Sequence, residues 1–517
     1  MHAVTRSFGT HRRLSIGWVG AIVAATATMQ PSWSWAQADA DPIAADSAPV
    51  RTLFEDFLHF ARLGKFPEAE AHARRLLDHP DLDPVELLSV AEQTRDSFET
   101  LLLIVGNSPI GDSAKQVLEV LAQGESALRQ DTARILANIE KLGGPPQTEH
   151  HATGRLIESG EYAVPWLLHA LGDAAQAGLH ARILTALPKL GRAAVGPLVA
   201  ALDTNRDALR RQIIQTLGRI GYAQGGPYLR NILLSDTGTP ENQAAARTAI
   251  QAISGVARQA TAAATAAGFI HLAEQYYEER GSVAADPRMP MANVWSWNDD
   301  QGFLQAVAVP QRIFGQVMAM RCCQRALLIE PSNERAIALW LAANIRREAR
   351  LGIDVESGEP GDPDEPDATR SVDFPPSLYF TRLAGPRYAH LALERAVHDL
   401  DSAVALGAWA ALRVVAGESS LIGTQDYKQP LVQALSFPDR LVRIRAALVL
   451  GEALPQTPFA GAQWVVPVLA DALGAGARER YVLVENDADN RNRLGGTLRD
   501  SGAEVIAESN FYQALDR

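Results

Sequence analysis

Cysteine is almost missing from this chain: among 517 residues there are two, Cys322 and Cys323, side by side. A disulfide framework or a zinc site built from thiols is therefore excluded. Neighbours on a helix point about 100° apart, so the pair reads as two small core residues with free thiols. Lysine is also scarce, limited to Lys65, Lys115, Lys141, Lys189 and Lys428, and the formal charge is -12. No basic stripe offers the positive surface that a phosphate backbone needs, which argues against nucleic acid as a partner. The short signatures of common chemistries are absent as well: there is no Gly-x-x-x-x-Gly-Lys, His-Glu-x-x-His or Gly-x-Ser-x-Gly. The expectation is a protein without cofactor, resident metal or catalytic residues. His150 and His151 sit beside a Gly/Pro-rich connection and read as solvated loop residues, and His169 and His180 as surface positions on helices.

The one long apolar run lies near the N-terminus. Arg12 and Arg13 precede Leu14 to Met29, and Ala36-Gln37-Ala38 supplies small residues before Asp39, the layout of a cleaved signal peptide over 1–38. The run is shorter than the roughly 20 residues of a spanning helix. An exported protein, periplasmic or otherwise extracytoplasmic, is expected, not spanning a membrane after cleavage and more acidic by the loss of Arg6, Arg12 and Arg13. Residues 39–50 read as a disordered tail.

What the chain has is repetition. Ala163 to Asp173, Ala194 to Asp203 and Gly225 to Asp236 are three versions of one segment, with Pro165, Pro197 and Pro227 opening short apolar helices that stop at an acidic turn. Proline fits the first helical turn, where its missing N–H has no partner to lose. Second helices follow, with Leu179, Ile183 and Leu187 in one copy and Leu209, Ile213 and Leu217 in the next, closed by Gly191 and Gly221. Glycine there suits a C-terminal cap with positive φ, and Asp173, Asp203 and Asp439 are placed to cap following helices. Self-similarity at this period predicts a stack of helical hairpins. The stretch 153–256 resembles HEAT repeats of the short bacterial kind first noted in phycobilisome lyases; that likeness concerns scaffold and implies no bilin chemistry.

Leu53 to Leu77, with Gly64 at a turn and Ala69 and Ala73 at a close helix contact, resembles a tetratricopeptide (TPR) hairpin within a helical region over 51–142. Met318 to Trp340, with its Pro331-Ser-Asn turn, makes 262–350 resemble TPR again. Inside it, 293–309 alternates around Asn298-Asp-Asp-Gln-Gly302 and predicts an inserted β-hairpin. Residues 351–376, rich in Asp, Glu, Pro and Gly, predict a solvated acidic linker. A second HEAT-like array is expected over 377–475, best matched by Pro430 to Gly451.

Residues 480–517 resemble the opening of a response-regulator receiver domain: strand, acidic loop, helix, strand. Receivers hold Mg²⁺ with paired carboxylates after the first strand. Here Glu485, Asn486 and Asp487 stand at that place, a vestigial pocket, and no third strand with a phospho-acceptor aspartate follows.

The fold class expected is all-α, an α-solenoid of HEAT-like and TPR-like hairpins with one β-hairpin and an incomplete α/β end. It implies a non-catalytic exported scaffold binding a protein partner, with Arg211, Gln215 and Arg219 of the central array, Arg443 of the second, and Trp295 and Trp297 of the hairpin as candidate contacts. The alternative is a signalling protein with a pseudo-receiver output, incomplete in this chain.

Overall fold

A computed structural model of the chain describes residues 49–510 and 514, apart from 108–109, 236–237, 256–259, 288, 360–362, 364, 372, 423–428, 455–457, 476–479 and 501. The expected signal peptide, residues 39–48 and the acid of the third repeat copy, Asp236, lie outside them. The protein is mostly helical, with two small two-stranded sheets.

The first region runs α1 (Val50–Arg62), α2 (Phe66–Leu77), α3 (Pro84–Gln93), α4 (Ser97–Asn107), α5 (Gly111–Gln130) and α6 (Thr132–Lys141). Gly64 turns the chain between α1 and α2 with φ +71°. Ala69 and Ala73 are fully buried where these two helices meet, since only a methyl group fits at so close an approach. The central region continues with α7 (Pro146–Ser159), α8 (Ala163–Gly172), α9 (His180–Ala186), α10 (Val195–Ala201), α11 (Asp207–Ile220), α12 (Gly226–Leu234) and α13 (Pro240–Ser254).

Pro165, Pro197 and Pro227 all lie buried in the first turns of α8, α10 and α12. Leu209, Ile213 and Leu217 share the buried face of α11. The earlier copy is less regular: α9 is flanked by 3₁₀ turns at Ala174–Leu179 and Leu187–Ala194, and Pro188 deprives the chain of a donor there. Gly191 and Gly221 both adopt positive φ, 60° and 79°. A Cβ on Gly218 of α11 would stand 2.8 Å from the Cβ of Ala249 on α13, so the spacing of these helices depends on its absence.

After α14 (Ala262–Tyr277), β1 (Met291–Asn298) pairs antiparallel with β2 (Phe303–Pro310), Met291 opposite Pro310 and Asn298 opposite Phe303. The hairpin lies between α8 and α10 on one side and α15 (Gln311–Ile329) on the other. Then come α16 (Glu334–Arg350), α17 (Ser377–Ala384), α18 (Pro386–Asp399), α19 (Ser402–Val415), α20 (Glu418–Ile422), α21 (Pro430–Gln433), α22 (Arg440–Glu452) and α23 (Val465–Ala475). Three large apolar clusters follow one another along the chain. One joins α1 to α5, one joins α6 to α13 and takes in Trp295 and Leu304, and one extends from α14 to α23; Tyr228 packs on both of the last two.

The acidic stretch 351–376 is anchored where solvent was expected. The Arg347 guanidinium meets Asp367 at 3.1 Å, and the Asp367 side chain is only 2 % exposed. Glu356 pairs with Arg445 at 3.0 Å and Glu365 with Arg312 at 2.6 Å. These acids act as pegs because arginines from three different helices reach them, a relation invisible within the segment.

At the C-terminal end β3 (Arg480–Val484), α24 (Ala488–Asp500) and β4 (Glu504–Glu508) form a strand–helix–strand unit with parallel strands. Among the described residues one stretch, Ala174–Ala201, is long and apolar enough to cross a membrane; it is interrupted by 3₁₀ turns and half buried inside the protein.

Candidate binding cleft

The turn before α8 carries Glu161, and its carboxylate faces the hairpin. Alternation along β1 places Asn293 and Trp295 on one face of the strand. The Trp295 indole Nε1 donates to Glu161 Oε2 at 2.8 Å, and Asn293 Nδ2 donates to Oε1 at 2.9 Å. Burial pushes the Glu161 carboxyl above its ordinary range, opposed by these two hydrogen bonds and by the charge of Arg129. Val294, on the opposite face, packs with Val309, Ile313 and Val317.

Around this contact lies an open cleft of about 1070 Å³, with walls from the turn before α8, α10, the segment 279–287, Met289, β1 and α15. Side-chain ties cross between its walls. Arg325 of α15 is paired with Asp203 at the end of α10, Arg129 meets Asp286 at 3.6 Å, and Arg192 donates to the Ala284 carbonyl. Asp203 therefore serves this pair in place of the helix cap expected of it, whereas Asp173 and Asp439 do cap, accepting from Ala175 N and from Leu441 N.

Arg321 differs from its neighbours. Its Nη1 donates to the Trp295 carbonyl at 2.8 Å, but no carboxylate lies within 4 Å of it among the described residues. Its other donors have no partner among the described residues and are not sealed in the interior. Burial lowers its pKa, opposed by the more distant charge of Asp367. Deeper in the wall, Tyr276 OH accepts from Gln224 Nε2, and Tyr228 OH lies 4.0 Å from Cys322 Sγ. Burial raises both phenols and the thiols behind them, Cys322 to about 12 and Cys323 well above its usual value. These groups are neutral at physiological pH.

Of the candidate contact residues expected from sequence, only Trp295 lines the cleft, and it is turned inward, 8 % exposed, instead of forming an open contact patch. Trp297 is half-buried and donates to Asp299 Oδ1 at 3.1 Å. Phe303 stacks edge-on with Trp166 and His169. On α11, Gln215 and Arg219 are exposed, Arg219 donating to the Leu184 carbonyl of α9 at 3.1 Å; Arg211 is half-buried, with an Nε that has no partner. Arg443 donates to the Phe437 and Pro438 carbonyls, both at 2.7 Å, and so secures the turn before its own helix.

His150 and His151, expected in a loop, lie exposed on α7. Glu485 and Asp487 are engaged in turning the chain into α24: Glu485 Oε1 accepts from Asp487 N at 3.0 Å and Asp487 Oδ1 from Asn490 N at 2.8 Å, while Asn486 offers its carbonyl to Arg491 at 3.4 Å. Among the described residues no three His, Cys, Asp or Glu side chains gather as metal ligands would. The residues that build the cleft, Glu161, Arg192, Arg321 and Arg325, carry no local motif; a long-range pairing signal is what could have joined them.

No family model matches the chain, and no curated protein matches it.

Proposed function

We propose that the protein is a non-catalytic exported scaffold, an α-solenoid of HEAT-like and TPR-like hairpins that holds a protein partner against the cleft between its central array and the inserted hairpin. Packing that runs between elements close in sequence, α11 on α13, α12 on α14, α14 on α15 and α15 on α16, supports the stacked reading. The observation that carries the function is the cleft: about 1070 Å³ is at or above the upper end of small-ligand pockets, and its walls are tied in place before any partner arrives. Gln215 and Arg219, exposed on α11 and outside the cleft lining, are proposed as further contacts, and export rests on the Leu14 to Met29 run. A photo-crosslinking residue in place of Gln324, which is exposed in the cleft, should give discrete adducts in envelope extracts, whereas the same residue in place of Glu68 on α2 should not. Equal labelling at both positions, or none, counts against the reading.

A second reading, a signalling protein with a pseudo-receiver end, draws on the parallel pairing of β3 with β4. Mg²⁺ binding by the full chain that is lost in Asp487→Ala would favour it.

A further inference from the structure

We infer that the cleft selects a ligand bearing a single carboxylate, with the free side of the Arg321 guanidinium as its anchor and the exposed Arg192 as a second cation at the rim. This rests on the cleft being the binding surface and says what it binds.

The argument starts from charge accounting among the lining residues. Arg325 is matched by Asp203 and Arg129 by Asp286. Glu279 is matched by Arg350, and Glu161 is occupied by the hairpin. Among the described residues Arg321 and Arg192 are left with carbonyl partners alone, Trp295 and Ala284. The next carboxylate toward Arg321, Asp367, is already held by Arg347 at 3.1 Å. A neutral donor would serve the Trp295 carbonyl equally well, so among the described residues the positive charge of Arg321 is offset only at a distance, by Asp367, while taking it partly out of water is costly. Guanidinium has a planar fork with several donors, the geometry that grips a carboxylate or phosphate at two points.

Between those two anions the surroundings favour the carboxylate. Asp203, Glu279 and Asp286 are balanced by Arg325, Arg350 and Arg129, and Glu161 stands against the two remaining arginines, so the surplus of positive charge suits a monoanion better than a dianionic phosphate in a medium of reduced dielectric. Val199, Phe314, Met318 and Leu328 give the body of the ligand an apolar wall. A free organic acid and the C-terminus of a peptide share this chemistry.

The full chain would be titrated by calorimetry with 4-phenylbutyrate, its primary amide and inorganic phosphate. It would also be incubated with a random heptapeptide pool having free C-termini and with the same pool amidated. The expected result is that at least one acid form binds tenfold or more tightly than its amide and that phosphate does not compete. Arg321→Gln, which keeps a donor for the Trp295 carbonyl, should remove the preference while melting as the wild type does. Preference for phenylbutyrate alone identifies a free acid as the ligand, and preference in the pool alone identifies a peptide terminus. Equal binding of acid and amide by the wild-type protein, binding of neither, competition by phosphate at equal concentration, or a preference that survives in folded Arg321→Gln each overturns the inference. Because the wild-type comparison needs no variant, a misfolded substitution leaves the test intact. Crosslinking at Gln324 without acid preference sinks the carboxylate and leaves the scaffold; acid preference for phenylbutyrate without crosslinking sinks the protein partner instead.

Discussion

Trp295 and Glu161 are joined by a 2.8 Å hydrogen bond across 134 residues of sequence. The same tryptophan offers its backbone carbonyl to Arg321. Its side chain thus holds the hairpin to the central array while its main chain holds it to α15.

Glu161 makes stability depend on pH in a stated direction. Its folded pKa is raised above the ordinary 4.5, so the folded chain holds this proton more tightly than the unfolded chain. The contribution of the group is fully present below about pH 4.5 and is lost as pH rises through the higher folded value. Glu161→Gln does not ionise, so urea unfolding should show the variant gaining on the wild type as pH rises from 4 to 8. A difference independent of pH would show that the two hydrogen bonds and the charge of Arg129 fully offset the cost of burying this carboxylate.

In the central apolar cluster Leu217 is 2 % exposed, and Gln215, two residues away on α11, is exposed. Leu217→Ala should cost about 2–5 kcal/mol through lost burial and a cavity. Gln215→Ala should change stability by no more than about 0.5 kcal/mol. Denaturant midpoints of the two variants compare them directly.

Arg347 lies between two buried carboxylates, Asp367 at 3.1 Å and Glu348 at 3.4 Å. Arg347→Met would strand both, with an expected loss of about 3–5 kcal/mol. A Glu-specific protease should then cut the acidic segment after Glu356, the one of its glutamates not followed by proline, faster than in the wild type. Unchanged cleavage would mean that other contacts suffice to pin it.

Both thiols are buried and their pKa values are raised, Cys322 to about 12. At pH 8 an aromatic disulfide reagent should label neither in the native protein and both in denaturant, since thiolate and access are each required.

The sequence was informative wherever chemistry is local. Prolines at 165, 197 and 227 announced buried first turns, glycines at 191 and 221 announced positive φ, and alternation around residues 298–302 announced a hairpin, because each depends on a residue's own backbone preferences. The cleft depends on something else. Glu161 reads as an ordinary turn acid until Trp295 arrives beside it, and Arg321 reads as one of many surface arginines until its neighbours are found paired with other acids. The acidic segment was read as solvated for the same reason: its composition is polar, but the arginine that buries Asp367 belongs to α16. Asp203 illustrates the point within one residue, since a cap and an interhelical ion pair require the same side chain at the same kind of turn.

The hairpin enters at Met291 and leaves at Pro310, and these two residues face each other in the strand register. Its ends are therefore adjacent, and α14 and α15 pack directly on each other below it. Closing the gap with a short turn would carry only a small entropic penalty, so the cost of removing the ribbon lies in the packing of Val294, Trp295, Leu304 and Val309, and only its outward positions can be exchanged freely. A lineage of such chains could vary what it grips by rewriting the outward half of the ribbon while the inward half keeps it seated on an unchanged helical frame.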